Sequence, residues 1–353
     1  MSFSAFEHPY LSGLLGDEEM AVLFSAAAEI EGMLAFEAAL ARAKARYGVI
    51  SEAAAERIAK VCRTFQPDIA ALKTATATDG VVVPELVKQL RAAVGTEFGS
   101  KVHYGATSQD VIDTSLMLRL KRATALIAAR LAEIIAEFER LERAFGARPL
   151  MGHTRMQAAI PITVSARLTA WSAPLEALHQ RLRSSEPSLY AVQFGGAAGI
   201  LEKLGDQAAA VRAALAGELG LADHRQWQSQ RGRIAEVAGM VSEISGSLGK
   251  FGQDIALLAK AGDELSLAGG GGSSAMPHKQ NPVAAEVLVS LARFNAVQLS
   301  GIHQSLVHEQ ERSGTAWTLE WLILPQMFAA CGTALRLAIQ LASQIRGIGS
   351  EEP

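Results

Sequence analysis

Cysteine is almost missing from this chain. Cys62 and Cys331 are its two thiols, far apart and in no CxxC or Cys/His ligand spacing. That argues against a disulfide framework and a zinc site and predicts two ordinary buried thiols in a reducing compartment. An excess of either charge is missing too: the formal net charge is −3, so there is no basic footprint for nucleic acid, although a local cationic pocket is compatible with it. No uninterrupted apolar stretch reaches the about 18 residues of a membrane span. The opening MSFSAFEHPY lacks the basic start and apolar core of a signal peptide. These absences predict a soluble, cytoplasmic protein with neither a membrane nor nucleic acid as partner. Also lacking are a GxGxxG after a strand, a P-loop, a GxSxG elbow and an HExxH pair, so no nucleotide cofactor or metal is expected.

What is present is helical periodicity. The chain has 353 residues, 49% hydrophobic and 20% charged, enough for two or three domains with a large core. From Leu116 the apolar positions run Leu120, Ala123, Ile127, Leu131, Ile134, Phe138, Leu141, Phe145. Steps of three and four place them on one face of a helix of about 30 residues, roughly 45 Å long. A second run, Ile234, Val237, Val241, Ile244, Leu248, Phe251, Ile255, Leu258, alternates without a slip, as in helices packed at small crossing angles. A third, Val164 to Leu182, contains Pro174, which should kink or break it. A fourth helix is predicted to start with Asn281 as its N-cap and Pro282 at its first position. Gly239, Gly246, Gly249 and Gly252 interrupt the second stripe, each at a helix-propensity cost of up to ~1 kcal/mol, which predicts close backbone approach to neighbours. Strand signals are scarce, and only Leu189 to Phe194 looks extended. The reading is an all-α fold, with an N-terminal helical domain over residues 1–110 and a central long-helix bundle domain over 111–353. Stripes of this length exceed one subunit's needs and suggest a bundle shared between subunits, a monomeric bundle being the alternative.

The most informative stretch runs Gly269-Gly270-Gly271-Gly272-Ser273-Ser274-Ala275-Met276-Pro277-His278-Lys279-Gln280-Asn281-Pro282. A glycine run delivers serines, a lysine and an asparagine to a helix start, where free N–H groups and the dipole favour an anion. On physical grounds alone, a flexible connection with an ordinary cap is an equal reading.

GSSAMPHKQNP resembles the signature loop GSSxMPxKxNP of the fumarase/aspartase superfamily. His103-Tyr104-Gly105-Ala106-Thr107-Ser108-Gln109-Asp110 and Gly152-His153-Thr154-Arg155-Met156-Gln157 resemble two further blocks of that superfamily, in the same order. The resemblance implies a fumarase/aspartase-like long central helix bundle, with the small C-terminal domain of many members missing or shortened here. It implies Ser273 as the group that handles a proton on carbon beside a carboxylate, with His153 and Lys279 as its catalytic companions. Substrate binding is expected from His103, Thr107, Ser108, Thr154, Gln157, Asn281 and Arg312. Members are typically homotetramers whose sites draw the three blocks from three subunits, and the implied ligand is a small polycarboxylate, handled with no cofactor.

The shared step builds charge on a carboxylate, an aci-carboxylate dianion, which asks for preorganised donors and cations. Gln193 to Gly199, Ser247 to Asp254 and the run Glu311-Arg312-Ser313 through Trp317, Glu320, Trp321 and Pro325 resemble the branch that closes lactones on carboxylated muconates in aromatic catabolism. Gln310 departs from that branch, which carries a histidine there, although His308 lies nearby. Arg233 and Arg155 are further cation candidates. Within the superfamily the competing expectations are another 3-substituted muconate, such as a sulfonated one, an adenylosuccinate-type lyase releasing fumarate, and a catalytically silent relative.

Overall fold

The computed structural model describes residues 4–350 apart from 273–275 and 277–279. Six helices come first: α1 (Ser12–Leu15), α2 (Glu18–Leu23), α3 (Ala26–Arg46), α4 (Glu52–Cys62), α5 (Ile69–Asp79) and α6 (Val83–Val94). Their starts are written locally. Asp17, Ser25, Ser51 and Asp68 each accept a backbone N–H of the first turn, which satisfies donors no helix can satisfy for itself. The long helices follow: α7 (Ser108–Phe145), α8 (Val164–Leu189), α10 (Gly232–Ala261), α11 (Val283–Gln304) and α12 (Gly314–Ser343), with the shorter α9 (Ala208–Leu219) between α8 and α10.

The expected stripes are the core. All eight apolar positions of the α10 stripe are buried, as are those of α7 from Leu116 to Leu141 and of α8 from Val164 to Leu182. Each large aliphatic or aromatic side chain taken out of water here contributes roughly 1.5–3 kcal/mol. Phe138, Trp171 and Phe251 tie the three helices together, with ring centroids 5.0 to 5.9 Å apart. A second core joins α3, α4, α6 and the start of α7 to Val192, Phe194, Val211 and Leu215. Cys62 and Cys331 are both free and buried.

Three local expectations are corrected. Pro174 does not break α8, which runs continuously from Val164 to Leu189. The ring sits on the exposed face while Trp171, Leu175 and Leu178 hold the buried one, so the freed Ala170 carbonyl faces solvent. Second, α11 starts at Val283, because the Asn281 backbone is already paired with Gly271 in a bridge of two hydrogen bonds, 2.8 and 2.9 Å. Third, Tyr190 to Phe194 form only an isolated bridge between Ala191 and Ala222. The strands lie elsewhere: β1 (Pro149–Thr154) with β2 (Gln157–Thr163), and β3 (Leu265–Leu267) with β4 (Ile345–Ile348), each pair antiparallel. Separately, α11 and α12 are long and apolar enough by composition (mean hydropathy 1.2 and 1.5) to count as candidate spans, although Glu286 and Arg293 interrupt one and Glu320 and Arg336 the other. Most of the apolar window of α12 is packed inside the bundle, whereas that of α11 is 22% buried.

Close approach at the α10 glycines holds for two of four. A Cβ on Gly252 would lie 2.6 Å from the Ala285 carbonyl oxygen, and one on Gly249 would lie 2.5 Å from the Ala292 Cβ. At Gly239 and Gly246 it would meet open space.

The long helices alternate in direction, so the chain has two ends. Asp113 of α7, Gln193 after α8, Arg231 before α10 and Arg312 before α12 meet at one. The β1–β2 hairpin, β3, β4 and the base of the glycine loop meet at the other, joined by Ala268 N to Gln344 O (2.8 Å) and Gly349 N to Glu264 O (2.9 Å).

Candidate active site

The first group of expected residues gathers at the N-terminal end of α7. Thr107 caps the helix and Ser108 begins it, both half-buried. Thr107 and Asp110 form a capping box here, and the positive end of a 38-residue helix favours a carboxylate ligand. Asp110 is fully buried beneath them. It accepts from Thr107 N (3.0 Å), Gly195 N (2.9 Å), Gly196 N (3.0 Å) and Gln193 Nε2 (3.2 Å), which fastens the Gly-Gly turn to the helix start. Burial pushes its carboxyl up to about 6, and the four donors hold it back from going higher.

His103 adopts a left-handed backbone (φ +63°) and is clamped twice by the buried Glu37: Oε1 lies 2.5 Å from the ring Nδ1 and Oε2 accepts the backbone N–H at 3.1 Å. The other ring nitrogen is therefore held in one direction. Lys44, 1% exposed, donates to the carbonyls of Lys101 and Tyr104 at 3.2 and 3.1 Å and so fixes this turn. Its ammonium is pushed down to about 8 by burial, against the pull of the Glu37 charge.

Arg312 joins the same end. Its Nε donates to Gln109 Oε1 at 2.9 Å and one terminal nitrogen lies 3.5 Å from the Ala197 carbonyl. Behind it runs a buried network. Gln109 Nε2 donates to Asp113 Oδ2 (3.1 Å) and to Gln228 O (2.8 Å), and Trp317 Nε1 donates to Asp113 Oδ1 (3.1 Å). Arg231, wholly buried, forks to both Asp113 oxygens (2.6 and 3.0 Å) and both Glu320 oxygens (2.8 and 2.5 Å). Its counter-charges raise its already high pKa despite burial, so it stays cationic. The other cation candidates serve differently. Arg233 donates to Ser188 and Leu189 carbonyls at the end of α8, and Arg155 sits exposed in a turn.

His153, Thr154 and Gln157 come together at the opposite end, all exposed, around the tip of the β1–β2 hairpin. The tip residues Arg155 and Met156 have φ of +48° and +66°, the twist a tight two-residue hairpin turn demands. Glu264 Oε1 accepts Met151 N at 2.7 Å and ties the hairpin to the segment leading into the glycine loop. Asn281 closes that loop's base: besides its backbone bridge to Gly271, its Nδ2 lies 3.4 Å from the Gly272 carbonyl. Ser273 and Lys279 lie outside the described residues.

One chain thus divides the expected site. His103, Thr107, Ser108 and Arg312 occupy one end, and His153, Thr154, Gln157 and Asn281 the other, separated by the about 57 Å that 38 helical residues span. No single chain closes a pocket from both sets. Glu37, Lys44, Asp110 and the Asp113–Arg231–Glu320 cluster have no counterpart in the expected roles. Glu37 had one visible signal, a lone carboxylate inside the apolar run MLAFEAALA. Among the described residues no group of three His, Cys, Asp or Glu is placed to hold a metal ion.

Comparisons with known proteins agree with this architecture. A family profile described as lyase matches residues 17–297. The 3-carboxy-cis,cis-muconate cycloisomerase of Pseudomonas aeruginosa is 44% identical over 333 residues, covering 91% of this chain and 72% of that protein. The one from Pseudomonas putida is 39% identical over 334 residues, covering 92% and 79%. The solved 3-carboxy-cis,cis-muconate lactonizing enzyme from Pseudomonas putida superposes with a TM-score of 0.91 at 38% identity, covering 96% of this chain and 77% of that one. A long-helix bundle matched by that profile over most of its length places the chain in the lyase family of the fumarase/aspartase superfamily.

Proposed function

We propose that this chain catalyses the reversible lactonisation of 3-carboxy-cis,cis-muconate to 4-carboxymuconolactone, a step in the catabolism of aromatic compounds. The observation that carries the reading is the 44% identity, over nine tenths of the chain, to a relative of that name. The end of α7 supports it chemically. A substrate with three carboxylates needs a cation and hydrogen-bond donors in one place, and the Thr107 and Ser108 hydroxyls and Arg312 supply them around a helix N-terminus.

In the forward direction one substrate carboxylate oxygen adds to a carbon of the conjugated double bond. The electron pair moves onto the neighbouring carboxylate as an aci-carboxylate dianion, and a proton delivered to carbon collapses it to the lactone. Ser273 is the proposed proton donor, with His153 orienting substrate and Lys279 opposing the negative charge. Donors fixed before the reaction stabilise the dianion most, because they need not reorganise as charge builds. The division of the site between the two ends of the chain supports a homotetramer in which several subunits complete each pocket.

The test is spectroscopic. Purified enzyme mixed with 3-carboxy-cis,cis-muconate should abolish the conjugated-diene absorbance, with lactone as the product. Persistence of the diene absorbance, together with fumarate release from adenylosuccinate, would assign a lyase instead.

A further inference from the structure

We propose that Gln109 is a positioning residue that presents Arg312 to one substrate carboxylate with its positive charge intact. The inference rests on the activity proposed above and concerns how the same site tells a tricarboxylate from a dicarboxylate.

Several arginines in this protein are spent on carboxylates. Arg130 pairs with Asp17 and Glu19, Arg231 with Asp113 and Glu320, Arg42 with Glu218, and Arg212 with Asp223. Arg312 differs. Its protein partners are a side-chain amide oxygen and, at 3.5 Å, a backbone carbonyl. Both are neutral acceptors, so they fix the guanidinium plane without cancelling its charge.

Gln109 has no freedom to do otherwise. It is fully buried, and its Nε2 is committed to two acceptors, Asp113 Oδ2 and Gln228 O. A flipped amide would set its carbonyl oxygen against both of them. The carbonyl must therefore face Arg312. Asp113 is pinned in turn by the fork from Arg231 and the donor from Trp317. Gln109 passes the rigidity of this cluster forward while keeping the Asp113 carboxylate off Arg312, which stands as a neutral-backed cation beside the exposed Ala197 turn and the helix N-terminus. A fork so arranged recognises a carboxylate bidentately.

The experiment is a double-substitution cycle on the whole enzyme, read as KM and kcat with 3-carboxy-cis,cis-muconate, with each variant's melting curve recorded. Gln109→Met keeps length and burial but loses the acceptor, together with the two Nε2 donations to Asp113 and Gln228. It should raise KM about tenfold, the loss of one hydrogen bond to a charged group, with a smaller fall in kcat. Arg312→Gln should raise KM at least as much, and the double variant should match Arg312→Gln alone. Multiplying losses in the double variant would overturn the assignment, since Gln109 would then act by another route. A second measurement guards against misfolding: calorimetric binding of propane-1,2,3-tricarboxylate and glutarate. Wild type should prefer the tricarboxylate, and both Arg312→Gln and Gln109→Met should lose that preference. An undiminished preference in Arg312→Gln leaves Gln109 nothing to position and ends the inference. If wild type binds the tricarboxylate but leaves 3-carboxy-cis,cis-muconate unchanged, the activity assignment fails while the binding cycle still judges Gln109.

Discussion

Lys44 carries an ammonium group into a place almost closed to water, and its two carbonyl acceptors cannot repay the lost hydration in full. Its pKa falls from 10.5 to about 8 in the folded chain. Between those values the folded protein binds fewer protons than the unfolded one, so stability from this group rises as pH rises through the window. Below about pH 8 both states are charged and the folded state bears the whole penalty, roughly 3 kcal/mol at 1.36 kcal/mol per pH unit. Lys44→Met has no such titration. Chemical denaturation at pH 7.5 and pH 9.5 should therefore show the stability of wild type relative to Lys44→Met moving by about 2 kcal/mol in favour of wild type. A gap that stays constant with pH would mean Lys44 is not shifted. The residue marks a limit of pattern reading. Lys44, Glu37, Arg231, Asp113 and Glu320 are charged types that composition assigns to the surface, and they are buried because each meets its partner across tens to hundreds of residues of chain. Such partners have no local signature.

At the scale of elements, the apolar stripes of α7, α8 and α10 were readable because burial on one face is what sets a 3.6-residue period. The strands were not. The β1–β2 turn uses Arg155 and Met156 at positive φ, where no glycine or asparagine announces it, and β3 pairs with β4 across nearly eighty residues. The glycines of α10 were legible as small residues but not as to which face each serves. The structure separates them, and that separation is testable. Gly252→Ala should gain up to ~1 kcal/mol of helix propensity but force a methyl to within 2.6 Å of the Ala285 carbonyl and 2.7 Å of the Leu288 Cβ. Overpacking of this kind costs about 1–3 kcal/mol, so the net effect is destabilising. Thermal unfolding of Gly252→Ala should show a lower midpoint than wild type. A raised midpoint would mean that α10 and α11 are not in contact there.

On the scale of the whole molecule, the homotetramer proposed above requires surfaces that a single chain leaves open. Two stretches of the long helices are uncovered in one chain. Open space flanks Gly239 and Gly246, and α11 leaves most of an apolar stretch uncovered, with Val297 72% exposed. Two inactive variants can locate the pieces. Thr107→Val damages the end where α7 begins, and Ser273→Ala damages the loop whose base, Gly271 with Asn281, lies at the other end. If each pocket takes these two residues from different subunits, a hybrid of the variants contains some pockets with both natural residues and some with neither. Co-refolding the two variants from denaturant should then restore turnover well above the sum of the separately refolded samples. Mixing them folded, without subunit exchange, should restore none. If both residues came from one chain, every pocket of a hybrid would lack one of them, and the co-refolded sample would stay at the sum. Light scattering on the co-refolded sample separates that outcome from simple failure to assemble, since a chain that remains monomeric meets no other subunit's end.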